Sequence, residues 1–282
     1  MTSFTWRCGR FALLLGTRTL LMAIVNVTPD SFSGDGLTDP AAAVEAGLRA
    51  EAAGADLIDI GGESTRPRSE PVDEGEELRR VAPVIRELAR QVSIPVSVDT
   101  SKPAVAASAL EAGASVVNDV SGLARGDSMA RLASQAGAGL VLMRFPGYPF
   151  NRPKARTAVD GDLLASVRAD LTTSLQRALA AGVATDAIVL DPGFGFGLVA
   201  ADSLLLLRRL AELRDMGRPL LVGVSRKGFT GQPEGLPPAE RAWGTAAAQA
   251  LAIANGADIL RVHHVPAARR VAGFADLVVR GC

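Results

Sequence analysis

One pattern recurs along this chain and limits the folds open to it. A stretch rich in alanine ends at a Gly-Ala pair, and a short, mainly apolar run follows that ends on a polar residue. Residues 51–55 lead to residues 57–60 in this way, and residues 255–258 lead to residues 259–262. A glycine at such a place ends a helix, and an apolar run without alternation is typical of a strand buried on both faces of a parallel sheet. The pattern therefore predicts helices alternating with buried parallel strands.

Eight strands of this kind are predicted, near residues 20–26, 57–60, 95–99, 116–119, 139–143, 188–191, 220–224 and 259–262. Asp39-Pro40 would begin the first helix, over about 40–53. Eight strand–helix repeats favour an α/β fold of the (β/α)8 TIM-barrel type, with all 282 residues in one domain. An open doubly wound sheet is the alternative. Residues 4–16 are predicted to form a short N-terminal β-hairpin before the barrel.

Composition excludes several classes of partner. The 30 Lys+Arg residues balance the 30 Asp+Glu residues, and only 4% of residues are aromatic, so neither charge attraction to nucleic acid nor base stacking is indicated. No apolar stretch approaches the length that crosses a membrane. The two cysteines, Cys8 and Cys282, form no disulfide framework and no zinc spacing, which favours a reducing cytoplasm. A disulfide between these two residues near the chain ends is the alternative.

Polar residues close the predicted strands, and in a barrel all of these positions meet at one mouth. Any single one of them has a simpler interpretation as a helix cap. Several stand inside the apolar run with the turn still to come, so together they predict an active site. The members are Asn26, Asp59, Asp99, Asn118, Asp191, Lys227, Arg261 and His263.

The residue types in this set suit particular ligands. Carboxylates beside an amide match the edge of a flat heterocycle that carries both donors and acceptors. Arg66, Arg261 and His263 suit a phosphate group, and Asn26 suits a Mg²⁺ ion held mainly by phosphates and water. The glycine-rich loop 191–197 lacks the spacing of either nucleotide-binding fingerprint. The basic triplet at 225–227 has a solvated loop as its simpler interpretation. Long loops at 144–159 and 226–238 are typical of a site cover.

Seven blocks of sequence, taken together, resemble the dihydropteroate synthases, the pterin-binding barrel enzymes of folate biosynthesis that sulfonamides target. The resemblance covers residues 22 to 263. The blocks are Asn26-Val27-Thr28-Pro29-Asp30-Ser31-Phe32-Ser33, Asp59-Ile60-Gly61-Gly62-Glu63-Ser64-Thr65-Arg66-Pro67, Val96-Ser97-Val98-Asp99-Thr100, Asn118-Asp119-Val120-Ser121-Gly122, Asp191-Pro192-Gly193-Phe194-Gly195-Phe196-Gly197, Ser225-Arg226-Lys227 and Arg261-Val262-His263.

This resemblance implies a transferase that joins 6-hydroxymethyl-7,8-dihydropterin pyrophosphate to p-aminobenzoate and releases pyrophosphate. It implies that Asp59, Asp99, Asn118, Asp191 and Lys227 bind the pterin, and that Asn26, Arg261 and His263 bind the pyrophosphate, with Mg²⁺ at Asn26. Phe32, Thr65, Arg66, Pro67 and Phe196 would bind p-aminobenzoate. Asp99, Lys227, Arg261 and His263 would carry the catalysis. A homodimer formed through the last helices is also implied.

Four positions depart from the family pattern. Asp35 stands one place later than the usual loop acid, Arg144 replaces a histidine, Leu198 replaces a lysine or similar polar residue, and His264 replaces an aspartate. Two other hypotheses stay open, of which the departures motivate the second. A related pterin-binding methyltransferase would share the ring-binding Asp and Asn but not the pyrophosphate set, and a non-catalytic barrel paralogue would bind pterin without turnover.

Overall fold

The computed structural model describes residues 3–28, 36–37, 39–64, 71–146 and 162–281. An antiparallel hairpin, β1 (Phe4–Cys8) and β2 (Phe11–Leu15), precedes eight parallel strands. These are β3 (Leu20–Asn26), β4 (Leu57–Gly61), β5 (Val96–Asp99), β6 (Val116–Asp119), β7 (Gly139–Met143), β8 (Ile188–Asp191), β9 (Leu221–Val222) and β10 (Ile259–Val262). Both the predicted hairpin and the eight strands are confirmed.

The eight strands form a barrel. Their order is β8-β7-β6-β5-β4-β3-β10-β9, and a parallel bridge between Leu190 and Leu220 joins the two outer strands. The open sheet is therefore wrong. The seventh barrel strand is shorter than predicted: β9 has only two residues, because Gly223 follows it and the chain then turns at Ser225.

Eight helices surround the barrel in the described part of the chain. They are α1 (Pro40–Ala52), α2 (Glu74–Gln91), α3 (Pro103–Glu111), α4 (Ser128–Ala136), α5 (Leu163–Ala180), α6 (Ala200–Arg208), α7 (Ala242–Ala254) and α8 (Val265–Arg280). Helix α1 begins as the sequence predicts, with the Asp39 side chain accepting from the amide of Ala41 at 3.1 Å and Pro40 in the first turn. The predicted loop 226–238 contains a 3-10 turn, Gly228–Gly231.

Successive strand residues enter two different cores, as the two-residue period of a β-strand requires. On β4, Ile58 and Ile60 pack outward against the helices, whereas Leu57 packs inside the barrel. The inner core is a floor formed by one apolar layer of the barrel strands and capped by the hairpin. Its fully buried members include Trp6, Met22, Leu57, Val116, Val141, Val189, Leu221 and Ile259.

The hairpin is fastened across the floor. The indole Nε1–H of Trp6 donates to the carbonyl of Ala187 at 2.9 Å, which satisfies the one polar atom of a side chain that is otherwise apolar. Cys8 is a buried free thiol, and burial raises its pKa to about 12, so it is unreactive. Cys282 lies outside the described residues, so the alternative of a disulfide stays untested. None of the described helices combines the length and the hydropathy that a membrane crossing needs.

Candidate active site

The polar residues predicted at the strand ends form a layer directly above the apolar floor. On four strands the polar residue stands two positions after a floor residue, so the strand period turns it to the same interior. Leu57 is followed in this way by Asp59, and Ile259 by Arg261. Because the strands are parallel, all of these side chains lie toward the carboxyl end of the barrel. The layer comprises Asp59, Asp99, Asn118, Asp191 and Arg261.

Arg261 joins two acids at the centre of this layer. Its Nε donates to Oδ2 of Asp59 at 2.7 Å, and one Nη donates to Oδ2 of Asp99 at 2.5 Å. The amide Nδ2 of Asn118 also donates to Oδ2 of Asp59, at 2.9 Å. Among the described residues no donor reaches the buried Oδ1 of Asp59. An unpaired buried acceptor costs free energy, so this arrangement is typical of a site that completes its hydrogen bonds with a ligand.

Burial also changes the acidity of the carboxyl groups. It raises the pKa of Asp99 to about 7, against the opposing effect of Arg261 and with help from the charge of Asp59. Burial likewise raises the pKa of Asp191, which Lys227 opposes. The site therefore holds carboxyl groups that change charge closer to neutral pH than an exposed aspartate does, a property that clusters at functional sites.

Lys227 reaches the site from beyond the end of β9. Its ammonium donates to the carbonyl of Phe194 and lies 4.2 Å from the ring centre of Phe196. The Phe196 ring in turn meets Phe145 edge to face, with ring centres 5.5 Å apart. The simpler interpretation of the basic triplet as a solvated loop does not hold for Lys227, since this residue is half-buried and its head group contacts a carbonyl and an aromatic ring.

The glycine-rich loop after β8 supplies the surface on which Lys227 rests. The carboxylate of Asp191 accepts from the amide of Gly193 at 2.8 Å, and Gly193 has φ +75°. A Cβ at Gly193 would lie 2.0 Å from the carbonyl oxygen of Arg144, so only glycine fits this turn. In the structure this loop presents a carbonyl and an aromatic ring to a lysine.

Two more predicted residues lie at the rim. A Cβ at Gly61 would lie 3.6 Å from Oδ1 of Asn26 and 3.7 Å from Oδ2 of Asp99, so these two oxygens border the same space above that glycine. On the neighbouring strand end, Nδ1 of His263 lies 2.9 Å from Oγ of Ser225. In the described part of the chain, no group of three or more His, Cys, Asp or Glu side chains is arranged to hold a metal ion.

Sequence reasoning missed a buried charged network beside the second strand loop. The ammonium of Lys102 donates to Glu63 at 2.8 Å and also to Glu77, which is fully buried. The other carboxylate oxygen of Glu63 accepts from the amide of Val72 at 3.0 Å, so one side chain ties the two ends of segment 63–72. A signal was present: Glu77 lies on the apolar stripe of α2 together with Val81, Val84, Ile85 and Leu88.

Three of the four departures from the family pattern point away from this layer. Arg144 follows the last residue of β7, and its Nε donates to Asp170 on α5 at 2.8 Å. Leu198 is buried in the outer core. The ring of His264 caps α8 by accepting from the amide of Ala267 at 3.2 Å. The fourth departure, Asp35, lies outside the described residues.

The described residues thus bring together the predicted pterin and pyrophosphate residues, with one difference of detail. Arg261, which the resemblance assigns to pyrophosphate, bonds to two acids that it assigns to pterin. Phe196 is the one p-aminobenzoate residue that is described, and Phe32, Thr65, Arg66 and Pro67 lie outside the described residues. The roles of all these residues in binding remain predictions.

Comparison with known proteins shows the family to which the chain belongs. The model of the family described as "Pterin binding enzyme" matches residues 22–263. The chain is 43% identical over 268 residues to the dihydropteroate synthase of Synechocystis sp., and the match covers 94% of this chain and 92% of that protein.

Solved structures similar to this chain are also dihydropteroate synthases. A Yersinia pestis dihydropteroate synthase in complex with a sulfonamide drug superposes with a TM-score of 0.92 at 38% identity, covering 99% of this chain and 100% of that one. A Xanthomonas albilineans dihydropteroate synthase with 4-aminobenzoic acid superposes with a TM-score of 0.88 at 40% identity, covering 98% of each chain.

Proposed function

This chain belongs to the pterin-binding enzymes, and among them to the dihydropteroate synthases, and from that membership we propose how its residues condense 6-hydroxymethyl-7,8-dihydropterin pyrophosphate with p-aminobenzoate. The enzyme is a transferase of folate biosynthesis. The single observation that carries the residue assignments is the buried layer in which Arg261 joins Asp59 and Asp99, while one carboxylate oxygen of Asp59 accepts from none of the described residues. That oxygen is an acceptor suited to a ligand with ring N–H groups.

The pterin binds within this layer. The carboxylates of Asp99 and Asp191 accept hydrogen bonds from the amino and ring N–H groups, and Asn118, oriented by Asp59, supplies both a donor and an acceptor. Lys227 donates to an acceptor on the ring edge. Both carboxyl groups have raised pKa values because they are buried, so each gains when a ligand brings it hydrogen-bond donors.

The pyrophosphate lies at the rim, beside Asn26, Arg261 and His263. Nδ1 of His263 lies beside Oγ of Ser225, and we assign the ring of His263 to a phosphate oxygen. Magnesium would be held at Asn26, because a neutral amide oxygen is a donor that suits an ion bound mainly by phosphates and water. When bound, magnesium would neutralise charge on the departing pyrophosphate.

p-Aminobenzoate binds on the outer side of the pterin. Phe196 offers its ring there, and Phe32, Thr65, Arg66 and Pro67 complete the site by the family resemblance. The Xanthomonas albilineans relative was solved with 4-aminobenzoic acid and the Yersinia pestis relative with a sulfonamide. We propose that this chain accepts the same acid and that sulfonamides bind in its place.

The reaction depends on stabilisation of charge rather than on a nucleophilic group of the protein. Arg261 and His263 stabilise the pyrophosphate as its bond to the pterin methylene breaks. The carboxylates around the ring stabilise the delocalised cation that remains. The amine of p-aminobenzoate then attacks the methylene carbon, and this step requires a correct position more than a general base.

The assembly and the location are proposals as well. Helices α7 and α8 expose large apolar side chains, of which Trp243 is 87% and Phe274 72% accessible. Exposed apolar area of this extent suits a homodimer formed through the last two helices. A cytoplasmic location accords with the free, buried Cys8.

Two other functions remain as outcomes of the test. A pterin-binding methyltransferase would bind methyltetrahydrofolate in preference to the pyrophosphate ester, so a titration with both ligands separates it from the synthase. A non-catalytic paralogue would bind the pyrophosphate ester without turnover. The retained Asn26, Arg261 and His263 favour the synthase, because a methyltransferase has no pyrophosphate to release.

The decisive experiment measures pyrophosphate release from the dihydropterin pyrophosphate in the presence of magnesium, with and without p-aminobenzoate. We expect release that depends on p-aminobenzoate, together with formation of dihydropteroate. Release without condensation would mean that the residues for the first half of the reaction work and the amine site does not. Binding of the pterin without release would identify the paralogue.

A further inference from the structure

Arg226, between Ser225 and Lys227, adopts a backbone conformation that L-residues avoid. Its φ is +55°, and in the described part of the chain only one other non-glycine residue, Leu123, has a positive φ. A left-handed conformation at a residue with a side chain is unfavourable, and it persists only where neighbouring groups enforce it. Such strain is concentrated at functional sites, and at Arg226 it is enforced by groups outside the triplet.

The start of helix α7 supplies those groups. The amide of Arg226 donates to Oγ1 of Thr245 at 3.0 Å, and the carbonyl of Arg226 accepts from Nη1 of Arg241 at 2.8 Å. Both backbone polar groups of the strained residue are therefore held by side chains from one helical turn. Arg241 is itself fixed, since its Nε donates to the carbonyl of Leu236 at 2.7 Å.

The following residue is held from the same side. The carbonyl of Lys227 accepts from Oγ1 of Thr230 at 2.8 Å and from the amide of Thr230 at 2.9 Å. Oγ1 of Thr230 lies 3.4 Å from Oγ1 of Thr245. A Cβ at Gly244 would lie 1.9 Å from the carbonyl oxygen of Thr230, so α7 packs directly on this turn.

These contacts fix the direction in which Lys227 leaves the backbone. Its long side chain crosses to the glycine-rich loop, where the ammonium meets the carbonyl of Phe194 and the ring of Phe196. A lysine side chain loses much rotamer freedom when it is held in this way. If Arg226 relaxed to a negative φ, the root of Lys227 would rotate and its ammonium would leave this position.

We propose that Thr245 and Arg241 are positioning residues that hold Arg226 in its left-handed conformation and thereby direct Lys227 at the pterin. The proposal rests on the proposed function, because it assigns a purpose to Lys227 only if that residue binds the pterin. Neither positioning residue needs to touch substrate. Their effect passes through one strained peptide, which gives it a specific experimental signature.

The experiment is a double-mutant cycle between residues 245 and 226. Thr245→Val keeps the shape of the side chain and removes the hydroxyl, whereas Thr245→Ser keeps the hydroxyl. The changes Arg226→Ala and Arg226→Gly both remove the guanidinium, but only glycine adopts a positive φ without strain. Comparing Thr245→Val in the two Arg226 backgrounds therefore isolates the backbone conformation from the loss of either side chain.

The measured quantities are the affinity for the dihydropterin pyrophosphate by calorimetry and the KM of each substrate. With Arg226→Ala, adding Thr245→Val should weaken pterin affinity roughly tenfold, which corresponds to the usual penalty of the left-handed conformation. With Arg226→Gly, the same change should weaken it less than about twofold, because no strain remains to be enforced. Thr245→Ser alone should bind pterin as the wild type does, and the KM for p-aminobenzoate should stay unchanged in all variants.

An equal loss of pterin affinity in the Ala and Gly backgrounds would overturn the proposal, as would a loss of thermal stability with unchanged pterin affinity. Circular dichroism of each variant identifies any that fails to fold, and the Thr245→Ser variant then provides the comparison. Measuring wild-type turnover in the same preparation distinguishes failure of the positioning role from failure of the proposed function. Active wild type with no coupling between positions 245 and 226 rejects the positioning role alone, whereas wild type that neither binds pterin nor turns over rejects both.

Discussion

Both ends of the barrel bury acidic side chains against arginines, but they complete the hydrogen bonds of those acids differently. At the end opposite the mouth, beside the start of β3, both carboxylate oxygens of Asp276 are bonded, to the amide and hydroxyl of Thr19 at 2.8 Å each and to Nε of Arg280 at 2.7 Å. At the mouth, Asp59 has donors on one oxygen only, and none of the described residues reaches the other.

This contrast explains why similar residue pairs serve different purposes. A buried ion pair with all its partners in the protein holds the fold and offers nothing to a ligand. A buried pair with an unfilled acceptor is less stable by itself, and it gains when a ligand supplies the missing donor. The Asp276–Arg280 pair therefore stabilises the barrel, whereas the acids at the mouth are less stable alone and favour binding.

The largest expected effect compares the two arginines. Arg261→Met should lower kcat/KM about a thousandfold, since it removes about 4 kcal/mol of charge stabilisation from the reacting groups. Arg280→Met should leave kcat unchanged below its melting temperature but lower the free energy of unfolding by about 3–5 kcal/mol, because it leaves Asp276 buried without its cation. Steady-state kinetics and urea denaturation of both variants measure the two losses.

The comparison would break if both variants lost activity to the same degree while folded. In that case the Asp276–Arg280 pair would contribute to the geometry of the mouth, and the two ends of the barrel would form one functional unit. A large loss of stability in Arg261→Met with nearly normal kinetics would instead reverse the assignment of the two arginines.

The next effect concerns pH at the mouth. Burial raises the pKa of Asp99 to about 7, so acidification from pH 8 to 5 protonates this group in the free enzyme. Pterin N–H groups need the ionised carboxylate, so pterin affinity should fall by up to about tenfold per pH unit below 7. Calorimetry across this pH range measures the dependence, and a pH-independent affinity would remove Asp99 from the pterin site.

The stability of the free enzyme should change in the opposite direction. A raised folded pKa makes a contribution that is fully present below the ordinary value of 3.8 and is lost as the pH rises through about 7. Between pH 8 and 5 this group therefore stabilises the free protein increasingly as the pH falls. Thermal denaturation of wild type and Asp99→Asn should differ in this window, and identical pH profiles would contradict the shift.

A smaller effect separates the two tryptophans of the chain. Trp6→Ala removes a fully buried ring and its hydrogen bond from the floor, and should lower the free energy of unfolding by about 3–5 kcal/mol with both KM values unchanged. Trp243→Ala removes an exposed ring from α7, and should change unfolding of the monomer by less than about 0.5 kcal/mol.

Trp243→Ala should also weaken self-association, which analytical ultracentrifugation of both variants would measure. A Trp243→Ala variant as fully dimeric as wild type would remove this face from the proposed interface. Altered KM values in Trp6→Ala would show that the floor transmits its packing to the mouth.

The recurring pattern of strands that end on polar residues was enough to predict most of the fold and much of the candidate site. The positions of Asp59 and Asp99 at the ends of predicted parallel strands were enough to predict that they meet at one mouth, because the strand ends of a barrel converge there. The recurring Gly-Ala pair made Gly54 and Gly256 recognisable as helix stops, and both have positive φ.

Hydrogen-bond partners that are distant in the sequence could not be predicted. Arg261 and Asp59 are 202 residues apart, and nothing local indicates that the guanidinium bonds to acids rather than pointing only at phosphate. The network of Lys102 with Glu63 and Glu77 depends in the same way on how α2 packs on the strand ends. The strained φ of Arg226 is set by residues of α7, so no property of the triplet itself reveals it.

The smallest expected effect tests whether the departures from the family pattern matter. His264→Asp restores the residue that the family usually has, at an exposed position whose present function is to cap α8. Aspartate is an equally good cap and interacts favourably with the helix dipole, so the free energy of unfolding should change by less than about 0.5 kcal/mol. Because adjacent residues of an extended chain point to opposite sides, kcat/KM should stay within about threefold of wild type.

His264→Ala is the matched control for this position. It removes the cap, and should lower the free energy of unfolding by about 1 kcal/mol while kcat/KM again stays close to wild type. An activity that rises tenfold or more in His264→Asp, but not in His264→Ala, would show that the family aspartate acts on the neighbouring His263. Position 264, which the hydrogen bonds assign only to the cap of α8, would then belong to the residues of the mouth that affect catalysis.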